Sequence, residues 1–285
     1  MDVPFRVHKM NQRPPEIDLQ AALSESTRCL LCFDPPCSAG CHAKTDPGSF
    51  IRKLRFRNVD GAARVVIENN PFGGVCAYIC PTSRLCEEKC SYTGLDRPIR
   101  IAEIQQFLTR HYYDNQLYKN GKHPTGGPMV AVIGSGPAGL SAALYLAQEG
   151  ADVTVFESNA KPGGVLRYGI PSFRLPRDIL DEEIKRIQGM GVKIKCKSPV
   201  NGKGAARRLL KEFDAVFIST GLQRAYQLKV PGVELKNSML ALDFLAEVSD
   251  AKKVDAGKRR FNGKDVAIIG GGSVAIDAGM SARAL

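Results

Sequence analysis

No apolar run in this 285-residue chain approaches the length of a membrane span. Met1 to Asn11 has neither the apolar core nor the small-residue cleavage site of a signal peptide. There is no low-complexity tract and no clear internal repeat. The net charge is +11, but no basic stripe or recognised nucleic-acid module accompanies it. Neither nucleic acid nor membrane is therefore an expected partner, and the expected location is the cytoplasm. What remains is a globular chain long enough for two domains and part of a third.

The stretch from Cys29 to Cys90 holds eight of the nine cysteines. They fall in two runs, Cys29, Cys32, Cys37, Cys41 and Cys76, Cys80, Cys86, Cys90. Three readings compete. Disulfides fit poorly with a chain that lacks an export signal and continues into a nucleotide-binding pattern, because such chains work where thiols stay reduced. Structural zinc prefers two close ligand pairs separated by a longer spacer. Two four-iron clusters would use eight thiolates, and two-cluster proteins often send the last cysteine of one run to the other cluster. Cys80-Pro81 echoes the Cys-Pro that ends many ferredoxin runs. Iron–sulfur is the favoured reading.

Around the thiols the pattern is helical. Asp18 to Arg28 predicts a short helix, and Asp34-Pro35-Pro36 a turn. Asp46-Pro47 is a helix start with Phe50, Ile51 and Leu54 on its apolar face. A second helix is expected from about Asp60 to Asn69, with Ala63, Val66 and Ile67 inward and Pro71 as its stop. A third is expected from about Ile99 to Tyr113, with Ile101, Ile104 and Leu108 at helical spacing. This domain has little apolar content, so cluster binding would add stability that its core lacks.

After a polar arm (residues 1–15), the cysteine domain to residue 120 and a linker at 121–128, the period changes. Met129 to Ile133 reads as a buried strand running into Gly134-Ser135-Gly136-Pro137-Ala138-Gly139 and a helix through Gln148. A second strand, Asp152 to Phe156, ends at Glu157. The first glycine allows a tight turn, the second lets a diphosphate approach the backbone, and the third lets helix and strand pack closely. The helix start offers free N–H groups and a positive dipole end. Glu157 is spaced to accept from ribose hydroxyls.

Gly163 and Gly164 follow, a glycine pair that favours FAD as the dinucleotide. The reading continues with a helix at 178–190, strands at 192–195 and 214–219 closing at Thr220-Gly221, and a helix at 239–248. Cys196 reads as a small buried residue in a strand. A strand at 265–269 then leads to Gly270, Gly272 and Ala275, a second fingerprint suited to a nicotinamide dinucleotide. The chain stops at Leu285, short of a complete βαβ unit and of the residue that would separate NADH from NADPH. The sequence therefore reads as a fragment, with 129–262 as an incomplete FAD domain and 263–285 as the start of an NAD(P) domain. The expected fold class is a helical iron–sulfur domain followed by Rossmann-like α/β units.

This order of parts resembles the electron-input half of dihydropyrimidine dehydrogenase and the small subunit of bacterial glutamate synthase. The resemblance covers about residues 16–285. It rests on Arg28-Cys29-Leu30-Leu31-Cys32, Asn70-Pro71-Phe72-Gly73, Cys80-Pro81-Thr82-Ser83-Arg84-Leu85-Cys86, Arg167-Tyr168-Gly169 and Ile170-Pro171-Ser172-Phe173-Arg174-Leu175-Pro176. The run Cys80 to Cys86 with Gln105-Gln106-Phe107 looks closer to the dihydropyrimidine branch, and Arg167 to Pro171 to glutamate synthase and the separate-subunit bacterial forms. Together they suggest the flavin subunit of a bacterial two-subunit dihydropyrimidine dehydrogenase.

The resemblance implies one cluster on Cys29, Cys32, Cys37 and Cys90, and another on Cys41, Cys80, Cys86 and Gln105. Cys76 would then be a neighbour without an iron bond, although spacing alone leaves it open as the eighth ligand. Arg167, Thr220 and Gly221 join the flavin-loop residues as candidate cofactor contacts. The implied function is an electron relay from NAD(P)H through FAD and two 4Fe-4S clusters to an FMN-containing partner subunit that reduces uracil or thymine. The alternatives are a glutamate synthase small subunit, a ferredoxin-coupled NADPH oxidoreductase and a zinc-bound, FAD-containing scaffold without redox activity. Anionic cofactors would account for part of the basic excess, and a docking face for an acidic partner for the rest. The fragment itself is expected not to oxidise NAD(P)H.

Overall fold

A computed structural model describes residues 16–118, 126–222, 225–249 and 263–285. The expected arm at 1–15 and most of the expected linker lie outside the described residues. The chain divides into a helical unit, Arg13–His123 with Asp178–Met190, and an α/β unit, Pro124–Arg177 with Gly191–Leu285.

Six helices of the helical unit carry or frame the thiols. Helix α1 (Leu19–Thr27) starts where the Asp18 carboxylate accepts from Ala21 N at 2.7 Å. Helix α2 is a single turn, Pro36–Ala39. Helix α3 (Pro47–Arg55) is capped by Asp46, and α4 (Val59–Asn69) by Asn58. Helices α5 (Gly73–Ile79) and α6 (Ile101–Asp114) follow. Phe50, Ile51 and Leu54 of α3, Ala63, Val66 and Ile67 of α4, and Ile101, Ile104 and Leu108 of α6 merge into one core, as their periodicity predicts. Neither α2 nor α5 is legible beforehand, because short glycine- and proline-rich segments lack a readable period.

A further helix comes from elsewhere in the chain. Helix α9 (Arg177–Gly189) is where its pattern predicts, and Ile179, Leu180, Ile184 and Ile187 are buried. Yet 178–190 belongs to the helical unit, although it lies within the span 129–262 read as the flavin domain. Amphipathic spacing tells that a face is buried, not which layer buries it. Each such side chain contributes roughly 1.5–3 kcal/mol. The cysteine-bearing unit therefore draws on apolar surface that residues 1–120 do not supply.

The α/β unit holds a parallel sheet of order β3-β2-β1-β4. Its strands are β1 (Met129–Ile133), β2 (Asp152–Phe156), β3 (Lys193–Lys195) and β4 (Ala215–Ile218). The β1–β2 register runs from Met129 opposite Asp152 to Ile133 opposite Phe156. Helix α7 (Pro137–Gln148) makes the crossover between them. Helices α8 (Val165–Tyr168) and α10 (Gly202–Glu212) lie in segments where no helix is predicted. Helices α11 (Ala241–Ser249) and α12 (Ser273–Arg283) pack through Phe244, Leu245 and Ala278. The strand expected at 265–269 is not formed, because among the described residues no segment pairs with it, and Val266, Ile268 and Ile269 stay exposed. A short apolar run does not make a strand when the ladder lacks a partner. Cys196 lies just past β3 and is half-buried rather than enclosed. Among the described residues no helix is long and apolar enough to cross a membrane.

Candidate cluster and nucleotide sites

All nine cysteines are free thiols. Cys29, Cys32, Cys37 and Cys90 line one pocket together with Pro35, Ile51 and Tyr92. Burial pushes the Cys37 thiol up to about 11, with the neighbouring Cys90 and Cys29 adding to the rise. Cys29 is raised by burial too, and by Cys90 and Cys32. A second group forms around Cys80. Its thiol is lowered by a hydrogen bond with Cys76, against burial and the neighbouring Cys41 and Cys86. Burial, then Glu87 and Cys41, push Cys86 up to about 12. The fold thus brings the last thiol of the second run to the first three of the first run, and the fourth of the first run to Cys80 and Cys86. Cys76 touches Cys80 and also accepts from Asn70 Nδ2 at 3.3 Å. Gln105, buried on α6, donates from Nε2 to the Gly73 carbonyl at 2.6 Å.

The first group is held from behind. Arg55 and Arg52 of α3 donate to the carbonyls of Cys29 and Cys32 at 2.5 and 3.1 Å. Glu25 of α1, almost completely buried, accepts from Arg100 N and pairs with Arg28, Arg97 and Arg100. Burial raises its pKa, but those donors and cations outweigh it, so it stays below the usual carboxylate range. Glu25 thereby ties α1 to the segment that leads from Cys90 into α6. Leu31, one residue before Cys32, and Lys44, three residues after Cys41, adopt left-handed backbone at φ 54° and 55°. Non-glycine residues take that conformation at a cost, and it concentrates in sites where the chain must be re-aimed.

In the α/β unit the loop after β1 has the geometry that its glycines predict. Gly134 turns at φ 101°, and Gly136 ends the loop as the N-cap of α7, with no side chain bonding the first N–H groups. A Cβ on Gly136 would meet nothing within 4 Å, so the loop is open where a diphosphate would approach. A Cβ on Gly139 would collide with the Gly134 carbonyl, which is the close helix–strand approach expected of that position. Gly164, at φ 52°, passes so close that its Cβ would lie 2.7 Å from Gly136 Cα. The second loop repeats the backbone. Gly270 has φ 124°, and Gly272 caps α12 at φ −79°, ψ 173°, beside φ −71°, ψ 178° at Gly136.

Residues 128–285 match the family model for pyridine nucleotide-disulphide oxidoreductases. The chain belongs to that family. Residues 6–117 match the model for dihydropyrimidine dehydrogenase domain II, a 4Fe-4S cluster domain. The chain is 43% identical over 266 residues to the PreT homolog of Salmonella typhi, an NAD-dependent dihydropyrimidine dehydrogenase subunit, covering 93% of this chain and 62% of that protein. It is 42% identical over 278 residues to PreT of Escherichia coli K12, covering 97% of this chain and 65% of the relative. It thus spans less than two thirds of the length of these relatives.

Within this oxidoreductase fold three polar side chains that bond the first loop or its acid, Ser135, Asn159 and Ser219, are not singled out by the sequence. Glu157 is buried, and its carboxylate lies under the loop. One oxygen accepts from Ser135 Oγ and, at 3.1 Å, from Ser135 N; the other accepts from Asn159 N and Nδ2 at 2.7 and 2.8 Å. Burial raises its pKa, but these donors outweigh burial and hold it below the ordinary value. Ser219, beyond β4, donates to the carbonyls of Ile133 and Gly134. Ser135 occupies the variable position of the fingerprint, and only its place between two glycines could have marked it. Arg167 is buried and donates to the Pro162 carbonyl, so it braces the glycine pair. Thr220 and Gly221 are exposed at the end of β4, next to the loop.

Proposed function

We propose that this chain is the electron-input part of a bacterial dihydropyrimidine dehydrogenase, working in the cytoplasm with an FMN-containing subunit that reduces uracil or thymine. Cys29, Cys32, Cys37 and Cys90 would hold one 4Fe-4S cluster, and Cys41, Cys80, Cys86 and Gln105 the other. Gly134, Gly136, Ala138, Gly139, Glu157, Gly163, Gly164, Arg167, Thr220 and Gly221 would form the FAD site. Gly270, Gly272 and Ala275 would begin the nicotinamide site. When bound, the flavin converts the two-electron hydride of a nicotinamide into the single electrons that clusters carry.

The observation that carries the reading is the crossing of the two cysteine runs into two thiol groups. That arrangement suits two cages better than two zinc ions. Gly136 leaves the start of α7 open to a diphosphate, and Glu157 stiffens the loop from below.

The decisive measurement is an anaerobic preparation with iron, acid-labile sulfide and flavin counted per chain. Two clusters and one flavin per chain are expected, and zinc without iron would overturn the reading. In the full-length protein with its partner, pyridine-nucleotide-dependent reduction of uracil is expected. Reduction of 2-oxoglutarate with glutamine would instead assign the chain to the glutamate synthase branch.

A further inference from the structure

The peptide unit joining Gly73 to Gly74 is gripped at both ends. Its carbonyl accepts from Gln105 Nε2 at 2.6 Å, and its N–H donates to Glu183 Oε1 at 2.6 Å. The second Glu183 oxygen lies 3.4 Å from Val75 N. Glu183 is completely buried. It comes from α9, whose Arg186, one turn on, donates to the Pro71 carbonyl at 3.3 Å. Helix α9 therefore holds the chain on both sides of Phe72.

A carbonyl only accepts hydrogen bonds, so the nitrogen of the Gln105 carboxamide must face Gly73. Its oxygen is then turned the other way. Hydrogen bonds in series through one peptide unit reinforce each other, so an acceptor at the Gly74 end firms the bond at the Gly73 end. Both glycines are needed for this fit. A Cβ on Gly73 would lie 2.7 Å from Val66 Cγ1, and one on Gly74 2.6 Å from Thr109 Cγ2 and 2.9 Å from Ile179 Cγ2.

We propose that Glu183 is a positioning residue for the second cluster, clamping the Gly73–Gly74 peptide so that Gln105 presents its carboxamide oxygen, not its nitrogen, to iron. This rests on the reading of Gln105 as a ligand. A segment of the flavin-bearing half of the sequence thus sets the geometry of a cluster in the other half. Burial pushes the Glu183 carboxyl up to about 8, with the N–H of Gly74 opposing the rise and the Cys76 thiol adding to it. The neutral acid still offers a carbonyl oxygen to Gly74 N, so reach matters here rather than charge.

Two substitutions separate reach from charge in anaerobically reconstituted protein. E183D keeps the acid but withdraws it by one methylene, and E183Q keeps the length and an acceptor oxygen. In E183D, loss of one cluster to a chelator is expected to quicken roughly tenfold. The low-temperature EPR signal of that cluster should shift while the other signal stays unchanged. E183Q is expected to retain the parent spectrum and chelator resistance. An unchanged spectrum in E183D, equal damage in E183Q, or joint loss of both clusters in E183D would each overturn the proposal. Q105L tests the underlying reading separately. If Q105L leaves both signals unaltered, Gln105 is not a ligand; if Q105L alters one signal and E183D does not, only the role of Glu183 fails.

Discussion

The two glycine loops of the α/β unit share a backbone and an open helix start, and differ in how closely their first glycine is packed. Gly134 and Gly270 both turn at positive φ, and Gly136 and Gly272 both cap a helix without a side-chain bond. The first loop is wedged between neighbours. A Cβ on Gly134 would strike the Ser219 carbonyl, Gly139 sits against the Gly134 carbonyl, and Ser135 is tied to Glu157. Around the second loop there is room. A Cβ on Gly270 would find only Ala275 Cβ, at 3.7 Å, and Gly271 and Gly272 face open space. The turn is thus a local property of the glycines, whereas tightness is conferred by the strands and loops packed on it.

Substitutions can break this contrast, and the largest effect belongs to G134A. It combines a positive φ with a collision against Ser219, and should destabilise the unit by about 3–5 kcal/mol in denaturant unfolding. G270A meets the backbone penalty alone, about 1–2 kcal/mol. Equal losses in the pair would show that surroundings do not matter. G139A places in the first loop the residue type that the second carries at Ala275. It should cost about 2–3 kcal/mol and reduce flavin content, read from the absorbance of the purified protein.

A smaller effect, about 1.5 kcal/mol, is expected for S135A, which removes one donor from a buried carboxylate. Its signature is a pH dependence. The folded-state pKa of Glu157 is depressed, so its contribution to stability is complete above the ordinary carboxylate pKa and is lost as pH falls through the folded value. With Ser135 Oγ gone the folded value rises, so in thermal melts of S135A the acid loss should be smaller and should be complete at a higher pH. The smallest change is expected for A275G. It should lower stability by about 1 kcal/mol through helix propensity alone, with no gain from packing, in the same melts.

Much of the architecture was legible beforehand because it is local. The β1–loop–α7–β2 unit, the cap at Asp46, and the apolar faces of α3, α4, α6 and α9 each follow from residues a few positions apart. The strand expected at 265–269 does not form for the complementary reason, since a strand exists only through its neighbour. Helix α5, which carries Cys76 and supplies Gly73, was invisible because two glycines open it and no period announces it.

By itself the sequence determined the glycine turns, the helix starts, the spacing of Glu157 and the number of thiols. Those are short-range properties of side-chain volume, backbone freedom and hydrogen-bonding type. Only the tertiary structure decided that Cys90 joins Cys29, Cys32 and Cys37, that Ser135 occupies an oxygen of Glu157, and that α9 leaves its sequence neighbours to bring Glu183 to the Gly73–Gly74 peptide. These pairings span tens of residues, and which buried face or thiol meets which is settled when the chain packs.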